Sequence, residues 1–165
     1  MPFNVLPHIL PYFRAEKQAA LYMMIVGAIA ILVAVWMWRS GNRYRGMAIP
    51  LTAIAIIQLV AGSAVYLRTD KQIDTLTEQY YSDAAGFLRD ETIRMDKVIS
   101  ALRIYKVIEI TLLIGGMAMI LIYRRQPALL GAGIGLVLQS AILLAFDLIA
   151  RKRADVYFDA IRRMG

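Results

Sequence analysis

AALYMMIVGAIAILVAVWMW, residues 19–38, runs for twenty residues without a charge, and its reading decides the class of fold. A helix needs about 20 apolar residues to cross the ~30 Å hydrocarbon core of a bilayer. Arg14 and Lys17 precede the run, and Trp36, Trp38 and Arg39 close it. Such basic and aromatic collars form where a helix leaves hydrocarbon for headgroups. A cleaved leader would have an apolar core of about 7 to 15 residues followed by small residues. This run stays bulky to its end and is expected to be retained.

Three more runs follow, at 47–67, 107–123 and 127–150, and with the first they take up about half of the 165 residues. The whole chain is 59% apolar and 19% charged, against roughly 45 to 50% apolar for a soluble domain. The surplus belongs in lipid. The connections RSGNRYRG and RRQP are short enough that spans one and two, and spans three and four, must each form an antiparallel hairpin. Pro50 and Pro127 sit in first turns, where a missing N–H costs little.

The segment between the two membrane hairpins, residues 68–106, holds seven basic and seven acidic side chains and belongs in water. Ile73, Leu76, Tyr80 and Ala84 keep helical spacing before Gly86, and Met95, Val98, Leu102 and Tyr105 keep it afterwards. The pattern predicts that spans two and three continue past the membrane as a protruding antiparallel helical hairpin. Its turn is expected over residues 83–87 with Gly86 at the tip. Folding there sets Asp70 level with Arg103, and Glu78 level with Arg94. The fold class is thus an all-α membrane protein of four spans. Its parts are an interfacial N-terminal arm (1–18), a first transmembrane hairpin (19–67), the extramembrane hairpin (68–106), a second transmembrane hairpin (107–150) and an amphipathic tail (151–165). Prolines at 2, 7 and 11 forbid a long regular helix in the arm. Ala154, Tyr157, Phe158 and Ile161 put an apolar stripe on the tail, which is expected to continue the fourth span and to dock on the hairpin or lie along lipid.

Both termini and the hairpin share one side, with fourteen lysines and arginines against five on the other. The positive-inside rule counts basic residues near the spans and places that side in the cytoplasm; the expected membrane is the inner membrane of a bacterium. Net charge argues the reverse, since all twelve acids lie on the hairpin side or in the adjacent span ends. The basic count decides, because Arg151-Lys152-Arg153 abuts the last span and is costly to translocate.

Intramembrane carboxylates are expensive and mark function by default. Glu109 and Asp147 are the candidates, both within about two turns of the hairpin-side surface. The plainer reading pairs Glu109 with Lys106 and Asp147 with Arg151, at spacings that meet on one helix. The sharper reading is a proton, cation or headgroup site. Gln58 and Gln139 read as interhelical hydrogen-bond glue. Gly131 and Gly135, like the Gly115-Gly116 pair, permit close helix approach, within one bundle or between copies. GAGIG at 131–135 lies inside an apolar span without a preceding strand, so it is no dinucleotide loop.

There is no cysteine and a single histidine, His8. That removes disulfides, thiolate metal sites and haem attachment, and it leaves no Ser-His-Asp set. No catalytic residue, cofactor or metal is expected. The net charge of +7 flanks apolar runs and forms no long patch, so anionic lipid headgroups are the expected partners and nucleic acid is not. Quinone-reducing and tetraspanin-like four-span families need cysteines. Small multidrug transporters need a carboxylate in the first span, and glutathione-using membrane enzymes a charged or amide cluster in the second. This chain has none of these. The expected function is a non-enzymatic accessory, assembly or immunity-type interaction subunit with a protein partner on the hairpin side, open to homo-oligomerisation. The alternative is an ion channel or proton- or cation-coupled carrier using Glu109 and Asp147, and third comes a membrane-embedded lipid-modifying enzyme.

Overall fold

A computed structural model describes residues 6–41 and 43–163; Pro2 of the arm and the side chain of His8 lie outside the described part. Four helices account for nearly all of it: α1 (Leu6–Arg39), α2 (Ala48–Ser82), α3 (Ala84–Ile122) and α4 (Pro127–Arg162). All four are long and apolar enough to cross a membrane. In hydrocarbon every backbone N–H and C=O must be satisfied within the chain, and a helix does so segment by segment. The lengths, 34 to 39 residues, correspond to roughly 50 to 60 Å at ~1.5 Å per residue, about 20 to 30 Å more than the bilayer core needs. All four surpluses emerge at the same end.

They do not emerge as a two-helix hairpin alone. Ile9 and Phe13 of α1, Leu76 of α2, Phe87, Met95 and Ile99 of α3, and Ala154, Tyr157 and Ile161 of α4 form one buried cluster. The extramembrane part is therefore a closed four-helix head. The expectation of an irregular interfacial arm is corrected here: α1 is helical from Leu6, through Pro7 and Pro11. Pro7 falls in the first turn, where its missing donor has no partner to lose. Pro11 breaks one hydrogen bond one turn further on. That cost of ~3 kcal/mol is offset by full burial of Ile9 and Phe13, worth roughly 1.5 to 3 kcal/mol each.

The turn between α2 and α3 is a single residue, Asp83 (φ −147°, ψ 83°). Its carboxylate accepts a hydrogen bond from the Gly86 N–H at 2.9 Å, capping α3. Asp83, not Gly86, is the tip, because an N-capping side chain ends one helix and starts the next without needing a left-handed residue. The expected cross-pairs also rearrange. Asp70 takes Lys17 of α1 (2.7 and 2.5 Å), and Arg94 takes Glu91 of its own helix. Tyr105, which the helical spacing put on the apolar stripe, is 53% exposed.

Within the membrane α1 packs on α2 and α3 on α4, joined by a 3₁₀ turn, Arg45–Met47, wedged against α4. Glycines make that wedge. A Cβ on Gly131 would lie 2.6 Å from the Tyr44 carbonyl oxygen, and one on Gly133 would lie 2.9 Å from the Gly116 carbonyl oxygen. The GAGIG run thus serves two neighbours. Gly131 and Gly135 receive the 3₁₀ turn and the start of α2, whereas Gly133 meets Gly116 of α3. Gly115, expected to share in packing, faces open space.

Candidate functional site

Glu109 and Asp147 lie at the end of the bundle beneath the head. Glu109 is buried, 6% exposed, and its carboxyl lies against that of Asp147 across the α3–α4 seam. Glu109 Oε2 and Asp147 Oδ2 are buried without a hydrogen-bond partner. The same-helix ion pairs expected from sequence do not form. Arg151 instead grips Asp155, with Nε 2.9 Å from both carboxylate oxygens, and donates from Nη1 to the Ile99 carbonyl at 3.0 Å. Turning one way along α4, Arg151 reaches two acceptors near water; turning the other, it would reach one at the edge of hydrocarbon. Lys106 is exposed and makes no ion pair with Glu109.

Beside this carboxyl pair a cavity of about 320 Å³ opens between α3 and α4. Arg103, Lys106 and Arg151 supply its cationic wall, Asp147 its one acid, and Leu102, Leu144 and Leu148 the rest. Two carboxyls in contact repel when both are charged, so such a pair can hold one proton or one small cation between them.

Deeper in the bundle, Gln58 of α2 donates to Gln139 Oε1 of α4 at 3.4 Å, a long bond between two fully buried amides. Gln58 Oε1, Gln139 Nε2 and the adjacent Ser140 Oγ are left unpartnered. This layer joins the two membrane hairpins. Among the described residues, no group of three metal-ligating side chains comes together.

The head has a polar interior that sequence reasoning missed. Glu91, counted in the sequence only among the seven acidic side chains of a segment that belongs in water, is 1% exposed. Arg94 binds it through Nε and Nη2, both at 2.6 Å, and the Tyr157 hydroxyl donates to it at 2.8 Å. Tyr12 stacks on Tyr157 at 4.4 Å, and the Arg94 guanidinium lies 5.2 Å from the Phe13 ring centroid. Burial, and then the charge of Glu91, holds the Tyr157 hydroxyl well above the usual tyrosine range. Burial likewise pushes the Glu16 carboxyl up, opposed by Arg68. A signal was available: Phe87, Glu91, Met95 and Ile99 recur every four residues, so Glu91 occupies a core position of the stripe.

With this geometry in hand, comparison with protein-family models, curated proteins and solved structures returns no match. The functional reading rests on the chain itself.

Proposed function

We propose that the protein is a non-enzymatic accessory, assembly or immunity-type subunit whose membrane helices carry the head as an interaction surface. One observation supports this reading above others: all four helices run unbroken from the bilayer into a head whose interior is closed by aromatic packing and by the Glu91–Arg94–Tyr157 network. What such a head offers is its outside. Lys71, Asp74, Glu78, Arg89, Asp90, Asp96 and Lys97 are all exposed there, a surface of interspersed sign suited to a polar protein partner. On the basic-residue count, the head and both termini are cytoplasmic. Alkaline phosphatase fused after Gly165 is then expected to be inactive, and strong activity would invert the topology.

The partner test is a gentle-detergent pull-down. Lys71→Glu with Lys97→Glu is expected to lose co-purifying protein that Glu109→Gln retains. The opposite pattern would remove the interaction reading.

A second reading is favoured by the Glu109–Asp147 contact: a proton- or cation-coupled carrier or channel. The substitution Glu109→Gln separates the two. As a packing element, Glu109 can be replaced by a hydrogen-bonding amide at a cost of ~1 to 2 kcal/mol, with function kept. As an ion site it cannot, and flux through the protein in liposomes would vanish while the thermal melt stayed in place.

A further inference from the structure

We infer that the cavity between α3 and α4 is a binding site for an anionic glycerophospholipid, with the phosphodiester held by Arg103, Lys106 and Arg151. The cavity has the amphipathic lining such a ligand needs. Span three starts at residue 107 and span four ends at 150, so a pocket drawing on residues 102–106 and 144–151 straddles the plane where acyl chains meet headgroups. Its cations stand on the head side, and Leu144 and Leu148 lie toward hydrocarbon on one face of α4.

Two of the cations lack protein counter-ions. Asp70, the residue level with Arg103, is taken by Lys17, and Glu109, one turn from Lys106, lies against Asp147. Arg151 is already oriented by Asp155 and the Ile99 carbonyl, so it reaches the pocket in a fixed pose. Arg103 and Lys106, unpaired, against the single lining acid Asp147 favour an anion, with the charge of Arg151 already shared with Asp155, while Asp147 offers an acceptor for a headgroup hydroxyl. A phosphodiester carrying a polyol satisfies both. The volume agrees: about 320 Å³ is roughly ten waters at ~30 Å³ each, room for a phosphate and a three-carbon polyol. The acyl chains must leave through the open side, over Leu148 and Val107, which are 50% and 60% exposed. This inference is independent of whether the head binds a protein.

The test titrates purified protein in neutral detergent with dioctanoyl phosphatidylglycerol, dioctanoyl phosphatidylcholine or inorganic phosphate, read as a thermal shift. Phosphatidylglycerol is expected to raise the melting temperature saturably, phosphatidylcholine to do so weakly, and phosphate at equal concentration neither to shift the melt nor to compete. Arg103→Gln with Lys106→Gln should weaken phosphatidylglycerol binding by about tenfold or more, from the attraction each basic residue contributes. Arg124→Gln with Arg125→Gln, on the other membrane surface, should not. Leu148→Trp, which fills the pocket and leaves every cation in place, should abolish the shift, and it keeps the test decisive if the double variant fails to fold. Equal weakening by both arginine-containing pairs would reduce the effect to diffuse charge and overturn the proposal. Competition by inorganic phosphate as strong as by the lipid would overturn it too, leaving a phosphate site.

Discussion

The head and the membrane half are built from the same four helices and held together by different physics. In the head the buried residues are large: Phe13, Phe87, Met95, Tyr157 and Ile161 are at most 2% exposed. In the membrane half Leu51 and Met37 are buried too, but small residues make up most of the apolar cluster, with Ala30, Ala34, Ala48 and Ala55 and glycines that let backbones touch. Water drives large apolar side chains together. Lipid tails are as apolar as leucine and do not, so bulky residues such as Ile114, Met117 and Leu121 stay outward and close contact is left to small ones. The polar groups divide the same way. Of the six residues with a buried, unpartnered side-chain atom among those described, five (Gln58, Glu109, Gln139, Ser140 and Asp147) lie in the membrane half. The head satisfies Glu91 completely. The region facing water has spent its polar residues on specifying one packing, and the region in lipid keeps polar groups uncommitted, which is where a ligand or an ion can act.

The strongest way to break this comparison is to empty the head. Glu91→Ala leaves the Arg94 guanidinium and the Tyr157 hydroxyl in the core without their acceptor. Removing one partner of a buried ion pair typically costs ~3 to 5 kcal/mol. Hydrogen exchange in nanodiscs is expected to show loss of protection over the head, with the spans still protected. If the spans open in step with the head, the two regions are one cooperative unit and the contrast fails.

The difference in physics also governs how much was legible in the sequence. The four spans were readable because a bilayer imposes length and composition on each segment by itself, as the run at 19–38 shows. So was the stripe of Ala154, Tyr157 and Ile161, since helical periodicity is local. The closure of the head was not. Pro7 and Pro11 argue locally against a helix, and only burial of Ile9 and Phe13 against three other elements outweighs them. Nor was the pairing of charges, because an arginine's partner depends on which helices become neighbours: Asp70 meets Lys17, fifty-three positions away. For the candidate site, Glu109 and Asp147 were found from their cost in lipid. Their mutual contact, and the free cations beside them, depend on the rotation of α3 against α4, which no spacing within one helix reveals.

A smaller effect sharpens the membrane side of the comparison. Gly133 and Gly115 are both glycines in apolar helices, yet Gly133 meets the Gly116 backbone and Gly115 meets nothing within 4 Å. Gly133→Leu is expected to destabilise the bundle by ~1 to 3 kcal/mol through overpacking, whereas Gly115→Leu should stay within about 0.5 kcal/mol. Unfolding by increasing sodium dodecyl sulfate in mixed micelles measures both. Equal losses would mean that close backbone approach is not what holds the spans.

The smallest effect tests the border between the two regions, at Glu16, just before the first span. Its Oε2 is buried without a partner, and the nearest cation, Arg68, lies 3.7 Å from Oε1 with its side chain 59% exposed. Burial outweighs that pair and raises the folded-state carboxyl above its ordinary value. A raised folded value means the folded state binds the proton more tightly than the unfolded one. The protonated form therefore supports the head, and that support is present below the ordinary carboxylate range and lost as pH rises through the folded value. Glu16→Gln imitates the protonated form at every pH. The variant should match the wild type near pH 4 and exceed it near pH 8 by no more than about 1 kcal/mol, since the side chain is a quarter exposed and screened accordingly. Taking the difference between the two melts at each pH cancels the other carboxylates. A variant less stable than wild type at pH 8 would show that the Arg68 pair prevails over burial. Glu16 would then belong with Glu91 as a satisfied charge, and the uncommitted polar groups would be confined to the lipid-facing half.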